Sequence, residues 1–193
     1  MSIQTRHERE RAERERLIVT AVRELAEAEG WDAVTTRRLA AEIEYSRPVL
    51  YSHFKGKDAI MAAVAVQGFD ELAGELPAAR ASASSPREAL AAVGRAYADF
   101  CEQRPALYDV MFTHAVDLLF ATPETPAPLR AASDELRLAV VPLATDEDPG
   151  VLTETVWAGL HGLLTLMRSG RLRREQHDHR LTLLIDRFAP PEN

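Results

Sequence analysis

The chain has 193 residues, 46% of them hydrophobic, and a net charge of −7 at pH 7. This composition provides enough apolar material for a buried core and excludes an intrinsically disordered chain. Cys101 is the only cysteine, which excludes an intrachain disulfide. No secretion signal opens the sequence, and its longest apolar runs fall short of the roughly 20 residues of a membrane-spanning helix. We expect a cytoplasmic protein, and the excess of Arg over Lys is typical of a bacterial chain.

The charge is distributed unevenly along the sequence. The first 57 residues hold 11 of the 23 basic residues but only 10 of the 30 acidic ones. Between Thr35 and Lys57, five basic side chains accompany only Glu42 and Glu44. This short basic and aromatic segment predicts a local surface for a polyanion in an otherwise acidic protein.

The N-terminal third reads as three helices. The segment rich in Glu and Arg (1–12) is interpreted as a mobile arm or a solvated helix extension, with insertion into a DNA groove as an alternative. A helix then follows to Gly30. Thr35 and Ser46 each begin a short helix, and Pro48 suits the first turn of the second. The tight turn between them, about 43–45, is typical of a helix-turn-helix.

The rest of the chain also follows a helical pattern. A fourth helix is predicted from Asp58 to about Leu76, where Pro77 ends it, and residues 77–86 form a linker. Further helices are predicted over 86–103, from Pro105, over about 129–141, over 151–168 and over about 178–188. No segment alternates long enough to indicate a strand. The sequence therefore predicts an all-α fold, with a DNA-binding domain in 1–57 and a larger C-terminal domain in 58–193.

The helix-turn-helix indicates which side chains should contact DNA. The second helix of this motif enters the major groove with its N-terminal end leading. We therefore predict base contacts from Arg47, Pro48, Val49 and Ser52, with Arg47 suited to bidentate bonding with guanine. Arg37, on the preceding helix, is a further predicted base contact that could reach a phosphate instead. Phosphate contacts are predicted from Thr36, Tyr51, His53 and Lys57.

These residues also carry a resemblance to a known family. The segment from about Leu17 to Val64 resembles the DNA-binding domain of the tetracycline-repressor (TetR) family, through Thr36, Leu39-Ala40, Ser46, "LYSHF" (50–54) and Lys57. The resemblance implies a homodimeric repressor that binds a palindromic operator in double-stranded DNA. It also implies a C-terminal domain that binds a small-molecule effector and dimerises through the last two helices.

Two further features qualify this resemblance. "RPALYDVMF" (104–112) and "WAGLHGLLTL" (157–166) are similar to the subgroup with a Trp-x-x-x-His-Gly signature. Glu44 stands where the family usually has Gly in the helix-turn-helix turn. A left-handed conformation at Glu44 would cost about 1–2 kcal/mol.

The stripe that begins with Trp157 and His161 has two interpretations. It either packs in the core or the dimer interface, or it lines an effector pocket with a polar His161 or His114. The predicted lining is Phe100, Tyr108, Met111, Phe112, Leu119, Phe120, Trp157 and His161.

No motif indicates metal or cofactor chemistry. The pairs His114/Asp117 and His177/His179 bring too few ligands for a stable metal site, so we expect neither metal nor cofactor. Phosphate-binding loops and hydrolase motifs are missing from the sequence, which argues against an enzyme. Two rival functions stay open at this point: a small-molecule carrier or enzyme with a vestigial DNA-binding domain, and a transcriptional activator.

Overall fold

The computed structural model describes residues 3–114 and 116–190, together with their side chains except those of residues 3–5 and 47. Within these ranges the chain forms α-helices and short 3-10 turns and contains no strand, so the all-α prediction is confirmed. The helices are α1 (Ile3–Glu29), α2 (Thr36–Glu42), α3 (Arg47–His53), α4 (Lys57–Ala81), α5 (Pro86–Gln103), α6 (Pro105–Phe112), α7 (Ala127–Val140), α8 (Pro149–Arg168) and α9 (His177–Phe188).

The contacts group the chain into two compact units. The first unit is Met1–Gly68 with Arg104–Pro126, and the second is Phe69–Gln103 with Ala127–Asn193. The helix α4 supplies residues to both units. The division into domains at residue 57 stays a prediction.

The first unit has its core where α1, α2, α3, α4 and α6 bring their apolar faces together. The α1 helix contributes residues at helical spacing, and it continues without a break to Gly30, whose φ of 84° suits the turn that follows. Of the two interpretations of the Glu/Arg-rich segment, a helical extension describes residues 3–12. The buried side chains include Ile18, Val22, Val34, Leu39, Leu50, Val64, Leu107 and Met111.

The second unit has a core of its own. Its buried side chains come from the end of α4 and from α5, α7, α8 and α9, and they include Leu72, Leu76, Leu90, Phe100, Val140, Val156, Leu160, Leu164 and Ile185. Ion pairs join Arg87 with Asp186 and Glu102 with Arg174 on its surface.

The prediction that Pro77 ends the fourth helix, with a linker over 77–86, is wrong for residues 77–81. Pro77 lies inside α4, which continues to Ala81, and residues 82–85 connect it to α5. A proline in a helix interior costs about 3 kcal/mol. Packing offsets this cost, because Leu72 and Leu76 are buried before Pro77 and Arg80 bonds Glu135 of α7 at 2.9 Å after it.

Two further observations concern membrane-spanning helices and metal sites. Among the described helices, none has an apolar stretch that could cross a membrane. The described residues likewise contain no group of three or more His, Cys, Asp and Glu side chains arranged to hold a metal ion.

Candidate nucleic-acid interface

Local bonds define the two short helices of the helix-turn-helix. The side chain of Thr35 accepts a hydrogen bond from the Arg38 N–H at 3.2 Å, which caps α2 as predicted. Ser46 holds the corresponding position before α3, but its side chain makes no capping bond there. Buried Leu39 and Leu50 fix the two helices on the core.

The turn between α2 and α3 contains the unusual backbone conformation considered for Glu44. Its φ is 54°, in the left-handed region that non-glycine residues rarely occupy. The N–H of Tyr45 closes the turn on the carbonyl of Ala40 at 3.0 Å. Glu44 is exposed, so its carboxylate adds a negative charge to the surface that carries the predicted DNA contacts.

The α3 helix buries one face and exposes the other. Leu50 is 2% exposed, whereas Tyr51 is 54% exposed and Val49 is 37% exposed. Pro48 and Ser52 are also exposed. Pro48, Val49 and Ser52 therefore share a surface that can approach a duplex. The Ser52 hydroxyl donates to the Val49 carbonyl at 2.7 Å. Arg47 begins α3, and its side chain lies outside the described residues.

The remaining predicted contacts have different surroundings. Arg37 is exposed on α2, and Thr36 is partly exposed at its first residue. Lys57 has an internal partner, because its ammonium donates to the Trp31 carbonyl at 2.9 Å. An ammonium has three donors, so this bond leaves a phosphate contact by Lys57 feasible.

The side chain of His53 is largely buried. Its side chain is 8% exposed, and its Nδ1 lies 3.5 Å from a carboxylate oxygen of Glu15 in α1. Every predicted DNA contact stays a prediction, but the structure places His53 beside Glu15 of α1, a residue that the sequence analysis did not single out.

Trp31 anchors the helix-turn-helix to α6 in the first unit. Its indole N–H donates to the carbonyl of Ala106 at 2.8 Å, and its ring lies edge-on to His114. Glu27 accepts the N–H groups of Ala106 and Leu107 at 3.1 and 3.0 Å, which caps the start of α6. An open cleft of about 390 Å³ lies beside these groups.

The residues predicted to line an effector pocket fall in both units. Tyr108, Met111, Phe112, Leu119 and Phe120 belong to the first, whereas Phe100, Trp157 and His161 belong to the second. Tyr108, Met111 and Phe100 are buried, and Leu119 and Phe120 are about half exposed. Whether these residues bind a ligand stays a prediction.

In the second unit, Trp157 and His161 join a polar cluster that includes Tyr97 of α5. The indole N–H of Trp157 donates to the Tyr97 hydroxyl at 3.3 Å, and that hydroxyl lies 3.4 Å from His161 Nδ1. Thr165 approaches the other ring nitrogen at 3.4 Å. Burial lowers the pKa of His161, because the charged imidazole is the form that loses most on leaving water. The sequence did not predict Tyr97, since nothing local marks it as a partner.

Two family models match the chain and together cover most of it. Residues 18–64 match the bacterial regulatory proteins of the tetR family, and residues 90–188 match the tetracyclin repressor-like C-terminal domain. The chain belongs to the TetR family. The resemblance identified from the helix-turn-helix is confirmed, and membership makes the chain a DNA-binding transcriptional regulator and not an enzyme. The Trp-x-x-x-His-Gly subgroup stays a prediction.

Individual TetR-like proteins are similar over different lengths. The HTH-type transcriptional regulator YobS of Bacillus subtilis is 30% identical over 99 residues, which span 49% of either chain. The HTH-type transcriptional regulator Rv0681 of Mycobacterium tuberculosis is 25% identical over 89% of this chain and 78% of its own. Thus the match with YobS covers about half of that relative.

Solved structures share the fold. A protein of unknown function from Rhodococcus sp. RHA1 has a TM-score of 0.74 and 24% identity, over 90% of this chain and 92% of its own. BioQ, solved with its double-stranded DNA operator, has a TM-score of 0.66 and 22% identity, over 92% and 98% of the two chains.

Proposed function

We propose that this TetR-family regulator is a homodimeric repressor that a small-molecule effector releases from a palindromic operator. The observation that carries the proposal is the exposed face of α3. Pro48, Val49 and Ser52 offer apolar surface and a hydroxyl to the major groove, and Tyr51 offers a phenol to the phosphates. Leu50 holds the opposite face in the core.

Exposed apolar side chains on the last two helices support a homodimer. Val151, Trp157 and Leu166 of α8 and Leu183 of α9 are each between 38% and 62% exposed in the single chain. Pairing these helices with a second copy would remove this apolar area from water. Two recognition helices would then meet two half-sites, about 34–36 Å apart or a multiple of that.

The Tyr97, Trp157 and His161 cluster supports an effector site in the second unit. The Tyr97 hydroxyl accepts from the Trp157 indole at 3.3 Å and lies 3.4 Å from His161 Nδ1, and a ligand that offers closer partners could compete with these two contacts. Release requires an effector that binds the DNA-free state more tightly. Moving the equilibrium from 1:99 to 99:1 takes about 5.5 kcal/mol of differential affinity.

The first experiment measures DNA binding by fluorescence anisotropy at two salt concentrations. The probes are the DNA just upstream of the protein's own coding region, a scrambled duplex, and duplexes recovered from a random pool. We expect salt-sensitive preference for an inverted repeat, with two chains per duplex by sedimentation velocity. Recovered sites without inverted symmetry, or one chain per duplex, would contradict the homodimer.

Two substitutions on α3 separate base reading from backbone contact. Arg47→Ala should weaken binding by about 1–3 kcal/mol and relax the preference at one base pair. Tyr51→Phe, which removes only an exposed hydroxyl, should weaken all duplexes alike by about 0.5–1.5 kcal/mol. Equal losses on all sequences from both variants would remove Arg47 from base reading.

An effector is tested by its reciprocal influence on DNA binding. Compounds that raise the melting temperature of the free protein are titrated into the operator complex. A true effector lowers operator affinity, and the operator lowers effector affinity by the same factor. Compounds that stabilise the protein without this reciprocal loss are not the effector.

A further inference from the structure

His53, at the last residue of α3, has a buried ring nitrogen without a hydrogen-bond partner. Its side chain is 8% exposed, and its Nδ1 is fully buried and unpaired among the described residues. A buried polar atom of this kind is uncommon and calls for a physical reason. The nearest charged group is the Glu15 carboxylate, 3.5 Å away on α1.

Glu15 is held where it can act on His53. The carboxylate oxygen that faces Nδ1 also accepts a hydrogen bond from Arg11 Nε at 2.8 Å. Among the described residues, the charged groups brought to this imidazole are therefore Glu15 and, through the same oxygen, Arg11. Glu15 also lies outside the 18–64 segment that matches the family's DNA-binding domain.

The number of N–H groups on the imidazole determines whether His53 can donate a hydrogen bond to a phosphate. A carboxylate opposite Nδ1 favours a proton on that nitrogen, because a lone pair there would be repelled. A neutral ring with Nδ1–H has no donor on Nε2, so it cannot donate to a phosphate. The cation donates from both nitrogens. Only the doubly protonated ring can therefore point an N–H at the Glu15 carboxylate and a second N–H at a phosphate.

We propose that Glu15 is a positioning residue for DNA binding. Its carboxylate holds the imidazolium of His53 through Nδ1–H, so that Nε2–H donates to a phosphate of the duplex, and binding takes up a proton. This inference rests on the proposed function, since it requires the phosphate contact predicted for His53.

The test compares Glu15→Gln with Glu10→Gln. Both substitutions remove one negative charge from α1, and each carboxylate pairs with an Arg four residues earlier, Arg11 for Glu15 and Arg6 for Glu10. If Glu15 acted only through its charge, both variants would bind a duplex more tightly, because one repulsion is lost. Our proposal predicts weaker DNA binding for Glu15→Gln and tighter DNA binding for Glu10→Gln.

Affinity is measured on the duplex recovered by selection and on a non-specific duplex of equal length, near pH 7 and near pH 5.5. We expect Glu15→Gln to bind both about tenfold more weakly near neutral pH. The deficit should shrink near pH 5.5, where the imidazole binds its proton without the carboxylate.

His53→Gln supplies the second arm, because its amide donates at any pH. This variant should bind with little pH dependence, and adding Glu15→Gln to it should cause no further loss. Melting temperatures of all variants exclude unfolding as the cause of weak binding.

Three results would overturn the proposal. The first is that Glu15→Gln binds DNA more tightly, as Glu10→Gln is expected to do. The second is that the affinity loss of Glu15→Gln does not depend on pH. The third is that Glu15→Gln still lowers the affinity when it is added to His53→Gln. Failure of the wild-type protein to bind either duplex at low salt would overturn both this inference and the proposed function. Wild-type binding with any of the three results overturns the inference alone.

Discussion

The two tryptophans of the chain lie in regions that use polar groups differently. Trp31, in the first unit, is 7% exposed and donates to a backbone carbonyl at 2.8 Å, while its own carbonyl accepts from Lys57. Trp157, in the second unit, is 38% exposed and donates to a side-chain hydroxyl at 3.3 Å. Short bonds to buried backbone fix one geometry, whereas longer bonds between side chains permit rearrangement.

This contrast agrees with what each region has to do. A recognition helix must present the same atoms to every copy of an operator, and the short buried bonds of Trp31 suit that requirement. A region proposed to bind an effector gains from partners that a ligand can replace. The predictions below test this difference, beginning with the largest effect.

The strongest test replaces each tryptophan by alanine. Trp31→Ala should lower the free energy of unfolding by about 3–5 kcal/mol, because it empties a buried site and leaves the Ala106 carbonyl without its donor. Within a single chain, Trp157→Ala should cost about 1 kcal/mol or less, since its ring is partly in water there. Burial in the proposed dimer interface would add a loss that depends on protein concentration. Urea unfolding at equal protein concentration measures both.

Two protein concentrations provide the control for this comparison. A loss in Trp157→Ala that grows on dilution would assign the ring to a subunit interface, because dimer stability depends on concentration. Equal losses for both tryptophans at every concentration would contradict the contrast between the two regions.

The polar cluster of the second unit should respond to acid. The folded state lowers the pKa of His161 by burial, so the unfolded chain binds a proton that the folded chain resists. The stability linked to His161 is therefore complete above the ordinary histidine pKa, roughly 6.5, and is lost as the pH falls below it. His161→Gln should make the stability less dependent on pH between about 7 and 5.

Urea midpoints at several pH values measure this dependence. His179→Gln, which removes an exposed imidazole from α9, is the matched control and should keep the wild-type profile. An unchanged profile in His161→Gln would show that the cluster tolerates the imidazolium, and would remove this distinction between the regions.

The smallest expected effect concerns the turn of the helix-turn-helix. Glu44→Gly should relieve about 1–2 kcal/mol of left-handed strain, less about 0.5–1 kcal/mol for the added freedom of the unfolded chain. The melting temperature should rise by about 1–4 °C with DNA binding retained. Glu42→Gly removes the same charge from the end of α2 and should lower it instead. A melting temperature for Glu44→Gly that is unchanged or lower would argue against strain at this turn.

Most local signals in the sequence were informative, although Ser46 makes no side-chain capping bond. Thr35 as a cap, Gly30 as a helix end and the spacing of Leu39 and Leu50 each depend on a few neighbouring residues, and the structure agrees with them. The family pattern within 18–64 is similarly compact. These signals were sufficient to predict an all-α regulator with a helix-turn-helix.

Partners that are distant in sequence could not be predicted in this way. Glu27 caps a helix that begins almost 80 residues later, and Glu15 faces His53 from another helix. Lys57 was predicted only as a phosphate contact, because nothing in the sequence indicates that its ammonium donates to the Trp31 carbonyl. The error at Pro77 has the same origin, since the packing that keeps α4 helical involves Glu135 of α7.

The left-handed Glu44 has a consequence for how this protein changes by mutation. Glutamate and glycine codons differ at the middle base, so a single transition would replace the strained residue with the one that suits the turn. A random-mutagenesis screen for thermal tolerance should therefore recover this variant early. The replacement also removes a carboxylate from the surface of predicted DNA contacts. The recovered protein should therefore bind non-specific DNA more tightly and search for its operator more slowly.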